Sequence, residues 1–364
     1  MSNFRISIIG TVGVPANYGG FETLAENLVR HHQLSPKSVE LTVYCSKHSY
    51  EAQPATFLSA RLRYVPLAAN GVQSIPYDIW SLFSSVRHGC DAILLLGVSG
   101  ALALPLIRLI SSARIVTNID GIEWRREKWR GLARWFLRLS ERMAVRFSHQ
   151  VVADNGGIAD YVTETYGREC AVIAYGGDHA VAVAPIPYTA SSLPEHYAFA
   201  LCRIEPENNV GLILEAFSRQ TTHPLVFIGN WNNSEYGRDL RTRFGNLAHF
   251  HLLDPIYDLG TLRHLRGNAE IYIHGHSAGG TNPSLVEMMH FGAPVLAFDC
   301  VFNRYTTDDK AIYFASVEQL LECVRSLDAE RSSQVGAEML RIARESYTWD
   351  AIGKAYFDLL TSGN

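Results

Sequence analysis

Hydrophobic and polar positions follow one repeating pattern along the chain. Short apolar runs rich in Val, Ile and Leu are separated by longer segments in which apolar residues recur at helical spacing. Such runs are typical of parallel strands buried on both faces, and their alternation with helices predicts a parallel sheet covered by helices. Ten runs are predicted as strands, five in each half of the chain: residues 4–10, 41–45, 92–96, 114–117 and 150–153, then 197–201, 225–228, 249–252, 271–273 and 294–297. The predicted fold class is therefore α/β, with two doubly wound domains.

A segment without charge separates the two series of strands. Residues 181–194 contain three prolines and many small residues, which favours an extended connector. At the end of the chain, residues 349–360 have apolar positions at helical spacing behind Asp350, a residue suited to cap a helix. We predict a first domain at residues 1–184, a second domain at 195–345, and a terminal helix within 346–364 that packs back on the first domain.

Composition excludes several classes of protein. The 364 residues are 47% hydrophobic and 19% charged, which is enough apolar material for two cores, and a net charge of -4 argues against nucleic acid as the main partner. Six cysteines are scattered without a CxxC pair, so neither a disulfide framework nor a zinc site is indicated. The apolar runs are too short to span a bilayer. We therefore expect a cytoplasmic protein.

A glycine-rich loop follows the first predicted strand. Backbone N–H groups in such a loop can approach a phosphate or a sugar closely. The spacing fits neither a GxGxxG fingerprint nor a P-loop, and a purely structural turn would need about two of the glycines. We predict that Gly13, Gly19 and Gly20 contact the ligand that carries this phosphate or sugar. Glu22, near the start of the next helix, either hydrogen-bonds a sugar or acceptor, or complements the helix dipole.

The segment from residue 274 to residue 299 is predicted to run strand, glycine loop, helix, strand. Thr281 or Asn282 would cap the helix, and the free N–H groups of its first turn would face a pyrophosphate. Glu287, one turn further on, can accept hydrogen bonds from a ribose diol. The donor-binding residues predicted here are Gly279, Gly280, Thr281, Asn282 and Glu287.

Two further donor contacts are predicted upstream in the same domain. Arg203 follows a predicted strand, where its guanidinium can clamp a diphosphate bidentately. Pro255 and Ile256 follow another predicted strand and offer an edge on which a base could stack. Together these residues favour a nucleotide diphosphosugar as the ligand.

These motifs resemble those of a known family. The second-domain glycine loop and the Arg203 segment are similar to the E-x7-E region and the basic diphosphate clamp of family-4 retaining glycosyltransferases. The opening GTVGVPANYGGFET resembles the rhamnosyltransferase branch of that family, which assembles bacterial surface polysaccharides. The resemblance implies a GT-B fold, in which two Rossmann-like domains face a cleft, with the active site in that cleft.

The sequence departs from the family pattern at two positions. Gly279 stands where the first glutamate of E-x7-E is usual, and Asn208 stands where a lysine usually follows the clamp arginine. Only Arg203 and Glu287 carry over directly, as residues that stabilise the leaving diphosphate and bind the donor. With one cation fewer, neutralisation of the diphosphate depends more on backbone donors.

The acceptor side is predicted to follow the strand at residues 114–117. Many family members have a histidine at the position of Asp120, which here either binds the transferred sugar or polarises the acceptor hydroxyl, or else caps a helix. Trp124, Arg125 and Arg126 come next and are predicted to contact the acceptor.

Arginine recurs at every fourth residue beyond this segment. Like charges at this spacing repel by roughly 0.2–0.5 kcal/mol per pair on a helix, so helix propensity does not explain the stripe. A membrane-bound lipid-pyrophosphate acceptor would explain it, and so would a solvated face on a packing helix. The stripe consists of Arg130, Arg134, Arg138, Arg142 and Arg146.

No metal or cofactor is predicted. Two His-x-His pairs, at residues 249 and 251 and at 274 and 276, have no carboxylate or cysteine cluster nearby, and the chain contains no Asp-x-Asp.

The leading hypothesis is a retaining glycosyltransferase that moves rhamnose from dTDP-rhamnose onto a lipid-pyrophosphate-linked saccharide at the cytoplasmic membrane face. The alternatives are a nucleotide-sugar epimerase on the same scaffold and a sugar-nucleotide-binding module without catalysis.

Overall fold

The computed structural model describes residues 3–16, 19–34, 39–119, 121–122, 124 and 131–362. These residues form two compact units. The first runs to Ala174 and takes up the chain again from Trp349, and the second comprises Tyr175–Thr348.

The first unit is a sheet covered by helices, in which eight described strands lie in the order β3-β4-β2-β1-β5-β6-β7-β8. All neighbouring strands are parallel except β3 and β4. The strands are β1 (Phe4–Ile9), β2 (Val39–Ser46), β3 (Thr56–Phe57), β4 (Ala60–Val65), β5 (Ala92–Leu96), β6 (Arg114–Asn118), β7 (Gln150–Ala153) and β8 (Ala171–Val172). The helices are α1 (Gly20–Leu34), α2 (Ser74–Arg87), α3 (Leu104–Ile110), α4 (Gly131–Phe147) and α5 (Gly156–Tyr166), joined by α14 (Trp349–Thr361) from the end of the chain.

The second unit has a parallel sheet of six described strands in the order β11-β10-β9-β12-β13-β14. Its strands are β9 (Tyr197–Leu201), β10 (Leu225–Ile228), β11 (Phe250–Leu253), β12 (Ala269–His274), β13 (Val295–Phe298) and β14 (Ile312–Phe314). Its helices are α6 (His179–Ala182), α7 (Val210–Ser218), α8 (Glu235–Phe244), α9 (Leu259–Gly267), α10 (Pro283–Met289), α11 (Val301–Thr306), α12 (Val317–Arg325) and α13 (Ala329–Ser346). The predicted fold class, with two doubly wound α/β domains, is confirmed.

The predicted strands lie where the chain is buried on both faces. All five residues of β5 are buried, and so are the four residues of β10. Side chains pointing to either face of these strands therefore meet helices, which is why the strands read as continuous apolar runs. Four of the described strands were not predicted from the sequence: β3, β4, β8 and β14.

The predicted connector at residues 181–194 belongs to the second unit, and the boundary between the units falls at Ala174, before it. The backbone N–H of Ile186 donates to the Gly260 carbonyl at 3.0 Å, and the Arg263 guanidinium donates to the Val183 carbonyl. The Ile186 side chain lies where a side chain on Gly260 would be, so the missing Cβ allows this approach. Residues 181–182 end helix α6, and residues 183–194 form neither helix nor strand and are fixed to α9 by these contacts.

Helix α14 lies in the first unit, although the second unit precedes it in the chain. The side-chain amide of Asn118 donates to the Tyr356 hydroxyl at 2.7 Å, and Arg114 Nε donates to the Leu359 carbonyl at 2.7 Å. Phe357 stacks on the ring of His31, with centroids 5.8 Å apart. The first and last residues of β6 and helix α1 therefore all contact α14.

Candidate active site

The glycine loop of the first unit is held from within by carboxylates. Glu22 is buried, and its Oε1 accepts hydrogen bonds from the Val12 backbone N–H at 2.8 Å and from the Thr11 hydroxyl at 3.1 Å. The Ala16 backbone N–H donates to Glu26 Oε2 at 2.7 Å. Two loop amides are thereby occupied by carboxylates. Arg30 pairs with Glu26 at 2.6 Å, and the charge of Glu22 disfavours a phosphate at the loop. The loop is better suited to neutral hydroxyl groups.

The glycines of this loop have identifiable structural roles. Gly13 has a φ of +133°, and a Cβ there would lie 2.8 Å from the Cys45 Cβ. Gly19 has a φ of +130°, and a Cβ there would collide with the Glu22 carboxylate. Gly20 begins α1. Contact of these glycines with the donor, and of Glu22 with the acceptor, stays a prediction.

In the second unit, two loops at the carboxyl ends of adjacent strands are joined. The loop after β12 contacts the loop after β9 through Ser277, whose N–H donates to the Glu207 carbonyl at 3.1 Å and whose hydroxyl donates to it at 2.7 Å. His276 Nδ1 lies 2.7 Å from Asn208 Oδ1. None of these groups is a carboxylate, so they fix the loops without adding negative charge. The predicted clamp segment and the predicted diphosphate loop are therefore neighbours.

Arg203 lies at the start of the first of these loops. Its backbone carbonyl accepts from the Asn208 side-chain amide at 2.7 Å, which fixes the turn. Its side chain is 45% exposed, and Nη1 lies 3.7 Å from Glu205 Oε1. An exposed ion pair at that distance is weak, and the guanidinium can therefore exchange Glu205 for a bidentate anion. Asn208, where the family has a lysine, is buried and acts as the tie between the loops.

The glycine loop ends in the short helix α10. Gly279 has a φ of +106°, and Gly280 beside it is partly exposed. Asn282 is the N-cap, because its Oδ1 accepts from the Ser284 backbone N–H at 3.0 Å, and Thr281 is buried ahead of it. Of the two caps predicted from the sequence, the structure therefore selects Asn282.

Glu287 is held by two partners that the sequence did not reveal. Its Oε2 pairs with the guanidinium of Arg266, which is 3% exposed, and its Oε1 lies 3.2 Å from His179 Nε2. Burial acts to raise the pKa of Glu287, but Arg266 and His179 together hold that pKa below its ordinary value. The carboxylate is therefore ionised and fixed in orientation. In the sequence, Arg266 is visible as a charged residue next to apolar positions of a short helix, and this pattern does not reveal that it pairs with Glu287.

Of the residues predicted on the acceptor side, Trp124 lies in the described part of the chain. Asp120, Arg125 and Arg126 lie outside the described residues. Trp124 Nε1 lies 3.3 Å from Glu141 Oε1 on the buried side of α4. That oxygen also accepts from the hydroxyls of Tyr161 and Tyr166, each at 2.6 Å. The indole of Trp124 is thus attached to the core of the first unit.

The predicted arginine stripe lies on α4, with Arg130 outside the described residues. Arg134 Nε donates to the Trp124 carbonyl at 3.0 Å, and Arg138 lies over the Trp124 ring, 5.3 Å from its centroid. Arg138, Arg142 and Arg146 are exposed and line a cavity of about 800 Å³, and among the described residues no carboxylate pairs with them. Leu132 and Trp135 are exposed on the same helix.

Within the described ranges, no helix is both long and apolar enough to cross a bilayer.

Contact of Pro255 and Ile256 with a base stays a prediction. Pro255 is exposed and Ile256 half-buried after β11, which β10 separates from β9. His249 Nε2 lies 3.0 Å from the Phe217 carbonyl, and the rings of His274 and His276 are 6.0 Å apart. Across the described residues, no three His, Cys, Asp or Glu side chains form a cluster that could hold a metal ion. Metal-independent chemistry stays a prediction.

Comparison with known proteins supports the fold. A family model described as a domain of unknown function (DUF1972) matches residues 4–178. No curated protein matches the sequence. Among solved structures, sucrose-phosphate synthase from Thermosynechococcus elongatus has a TM-score of 0.79 at 12% identity and covers 98% of each chain.

Two other solved structures are similar over nearly their whole length. HepE from Anabaena, in complex with UDP and glucose, has a TM-score of 0.69 at 14% identity and covers 99% of this chain and 100% of its own. The catalytic domain of starch synthase IV from Arabidopsis thaliana, bound to ADP and acarbose, has a TM-score of 0.69 at 13% identity and covers 99% of each chain. At these identities the likeness shows the fold, which is the two-domain GT-B type.

Proposed function

We propose that the protein is a retaining glycosyltransferase that uses a nucleotide diphosphosugar. The observation that carries this proposal is the junction of the two loops in the second unit, which places Arg203 beside a glycine-rich loop at the carboxyl ends of adjacent strands. In open α/β sheets, ligands bind at the carboxyl ends of strands. The solved structures of similar fold include one with UDP and glucose and one with ADP, which agrees with this choice of ligand class.

The proposed catalysis is electrostatic. As the bond between the anomeric carbon and the diphosphate breaks, negative charge builds on the leaving group, and Arg203 stabilises it together with amides of the loop at residues 278–282. The transferred sugar passes through an oxocarbenium-like state, and the acceptor oxygen bonds to the anomeric carbon on the face from which the diphosphate departs. The departing diphosphate oxygen takes the proton of that hydroxyl. Neither an enzyme nucleophile nor a metal ion is needed in this scheme.

Glu287 is proposed to bind the ribose of the donor. A carboxylate that Arg266 keeps ionised is a strong acceptor for sugar hydroxyls, and its orientation is fixed before the ligand arrives. In this proposal the Arg203 guanidinium binds the diphosphate of the donor, and the Glu287 carboxylate binds its ribose.

The donor is proposed to be dTDP-rhamnose and the acceptor a saccharide on a lipid pyrophosphate. The arginine face of α4 supports the acceptor, because Arg138, Arg142 and Arg146 offer positive charge that no described carboxylate neutralises. Exposed Leu132 and Trp135 on the same helix suit the interface of an anionic membrane. We place the reaction at the cytoplasmic membrane face, in the assembly of surface polysaccharide.

Labelled donors test the proposal directly. The protein is incubated with UDP-glucose or dTDP-rhamnose, with and without a polyprenyl-pyrophosphate saccharide, and the products are separated by chromatography. Transfer of label to the lipid supports a glycosyltransferase. Isomerised donor without transfer would make the protein an epimerase, and donor binding without any product would make it a binding module.

A further inference from the structure

One face of the first sheet is polar where β1, β2 and β4 lie side by side. In a doubly wound sheet both faces are normally apolar, because helices cover them. Here the residues that alternate with the buried Ile6, Leu41 and Leu62 are charged or hydroxylated. The in-register neighbours across the three strands are Arg5 and Glu40, then Ser7, Thr42 and Arg61, then Tyr44 and Arg63.

These side chains line a cavity of about 420 Å³ between the sheet and the carboxyl-terminal end of α2. Its volume lies within the range of about 300–1,000 Å³ that is usual for small-molecule sites. Polarity is graded from the interior to the mouth. The buried lining residues are Ile6, Ser7, Tyr44 and Ser85, and the exposed ones are Arg5, Arg61 and His88.

The charges in the cavity do not balance. The lining includes three arginines and one carboxylate, that of Glu40, which lies 3.5 Å from Arg61. A second carboxylate, that of Asp91, accepts from the Arg5 backbone N–H at 2.7 Å. Arg5 Nη1 lies 3.3 Å from the His88 carbonyl, at the end of α2. Arg63 is half-buried, and the described part of the chain offers it neither a carboxylate nor a hydrogen-bond acceptor. The Arg63 guanidinium is thus not neutralised in a partly enclosed site, where an anion would bind to it more strongly than in open water.

We propose that this cavity binds the phosphate group of a phosphomonoester of about monosaccharide size. Arg63 would hold two phosphate oxygens in bidentate fashion, and Arg61 would reach the same group from the mouth of the cavity. The hydroxyls of Ser7 and Ser85 would meet the rest of the ligand. The ligand required is therefore a compact dianion that carries neutral polar groups.

This cavity is distinct from the glycine loop of the same unit. Arg5 lies near the amino end of β1, whereas Thr11 and Gly13 follow the carboxyl end of that strand. A ligand in the cavity therefore does not occupy the loop, and the inference stands whether or not the protein transfers sugars.

Thermal unfolding with glucose 6-phosphate, inorganic phosphate or uncharged glucose tests the site at constant ionic strength. At ten times its dissociation constant, glucose 6-phosphate should raise the melting temperature by about 2–4 °C. Inorganic phosphate should do so at higher concentration, and glucose should not. The proposal is wrong if glucose acts as well as its phosphate, or if neither phosphate acts at millimolar concentration.

Variants show where the ligand binds. Arg63→Gln should abolish the shift, while Arg87→Gln, an exposed neighbour on α2 that does not line the cavity, should keep it. Arg203→Gln in the second unit should also keep the shift, which separates this site from the proposed donor site. A full shift in Arg63→Gln, or its loss in Arg203→Gln alone, would overturn the inference.

Cys90 provides a test on the unmodified protein, in case Arg63→Gln does not fold. Its thiol lines the cavity, with Sγ 3.6 Å from the Ser85 hydroxyl. Bound phosphate should slow alkylation of Cys90 by iodoacetamide several-fold, read by mass spectrometry, without slowing alkylation of Cys323 in the second unit. Equal rates at Cys90 with and without glucose 6-phosphate would contradict the proposal.

Discussion

Each unit has a glycine-rich loop at the carboxyl end of a central strand, and the two loops are held in different ways. After β1, loop amides donate to the carboxylates of Glu22 and Glu26. After β12, the loop is joined to a second loop through a serine, an asparagine and a histidine, with Arg203 close by. Glycine content alone therefore does not identify a phosphate site, because the groups that already occupy the amides decide which charge a loop accepts.

The largest effect is expected from removing the buried partner of Glu287. Arg266→Met leaves the largely buried carboxylate of Glu287 with His179, 3.2 Å away, as its remaining ion-pair partner. Breaking a buried ion pair from one side costs about 3–5 kcal/mol, and the free energy of unfolding measured in urea should fall by this amount. Arg243→Met, which breaks an exposed pair with Glu215, serves as the control and should cost about 0–1 kcal/mol.

The pH dependence distinguishes this cause from general damage to the core. In the wild type the pKa of Glu287 is lowered, so its contribution is present above the unfolded pKa and is lost as pH falls through the folded pKa. In Arg266→Met, burial should raise that pKa, and stability should instead decline as pH rises through the raised value. Parallel curves for the two proteins would show that Arg266 does not control the ionisation of Glu287.

The next largest effect concerns the cation at the second loop. If Arg203 stabilises the leaving diphosphate, Arg203→Ala should lower kcat/KM by about 10²–10³, the loss typical of removing one group that stabilises transition-state charge. The exposed position of its side chain predicts unchanged stability. Arg238→Ala, exposed on α8, is the matched control. Unchanged turnover in Arg203→Ala would remove this residue from the mechanism.

The first loop should respond through stability. Glu22→Ala leaves the Thr11 hydroxyl and the Val12 N–H without their acceptor, which should lower the free energy of unfolding by about 1–3 kcal/mol. Glu22→Gln keeps an acceptor oxygen and should cost less. Urea denaturation measures both, and a fully stable Glu22→Ala protein would show that the carboxylate does not hold the loop.

The smallest effect is expected at the N-cap of α10. Asn282→Ala should cost about 1 kcal/mol, as loss of a capping acceptor usually does. Ser234→Ala removes the equivalent cap from α8 in the same unit and should cost about as much. Only Asn282→Ala should also weaken the binding of a nucleotide diphosphosugar, measured by calorimetry. Equal donor affinity in the two variants would show that the N-cap of α10 takes no part in donor binding.

Much of the fold could be predicted because strands buried on both faces are visible as local apolar runs. The predicted runs at 92–96, 150–153, 197–201 and 225–228 coincide with β5, β7, β9 and β10, and the other predicted runs differ from their strands by one or two residues at an end. β4 was not predicted, because Arg61 and Arg63 interrupt its apolar positions on the polar face of the sheet. Polar and apolar residues alternate along β4 because one face of the strand borders a cavity. The cavity is formed by residues distant in sequence, so a short stretch of sequence does not reveal it.

Local sequence was enough to predict ten of the described strands, two glycine loops, and an arginine and a glutamate in suitable places. What these groups contact could be read from the folded chain alone. Arg266 is 21 residues from Glu287, and the two meet because α9 and α10 come together in one unit. Burial and pairing of charges depend on neighbours in space, whereas hydrophobic period and helix caps depend on neighbours in sequence.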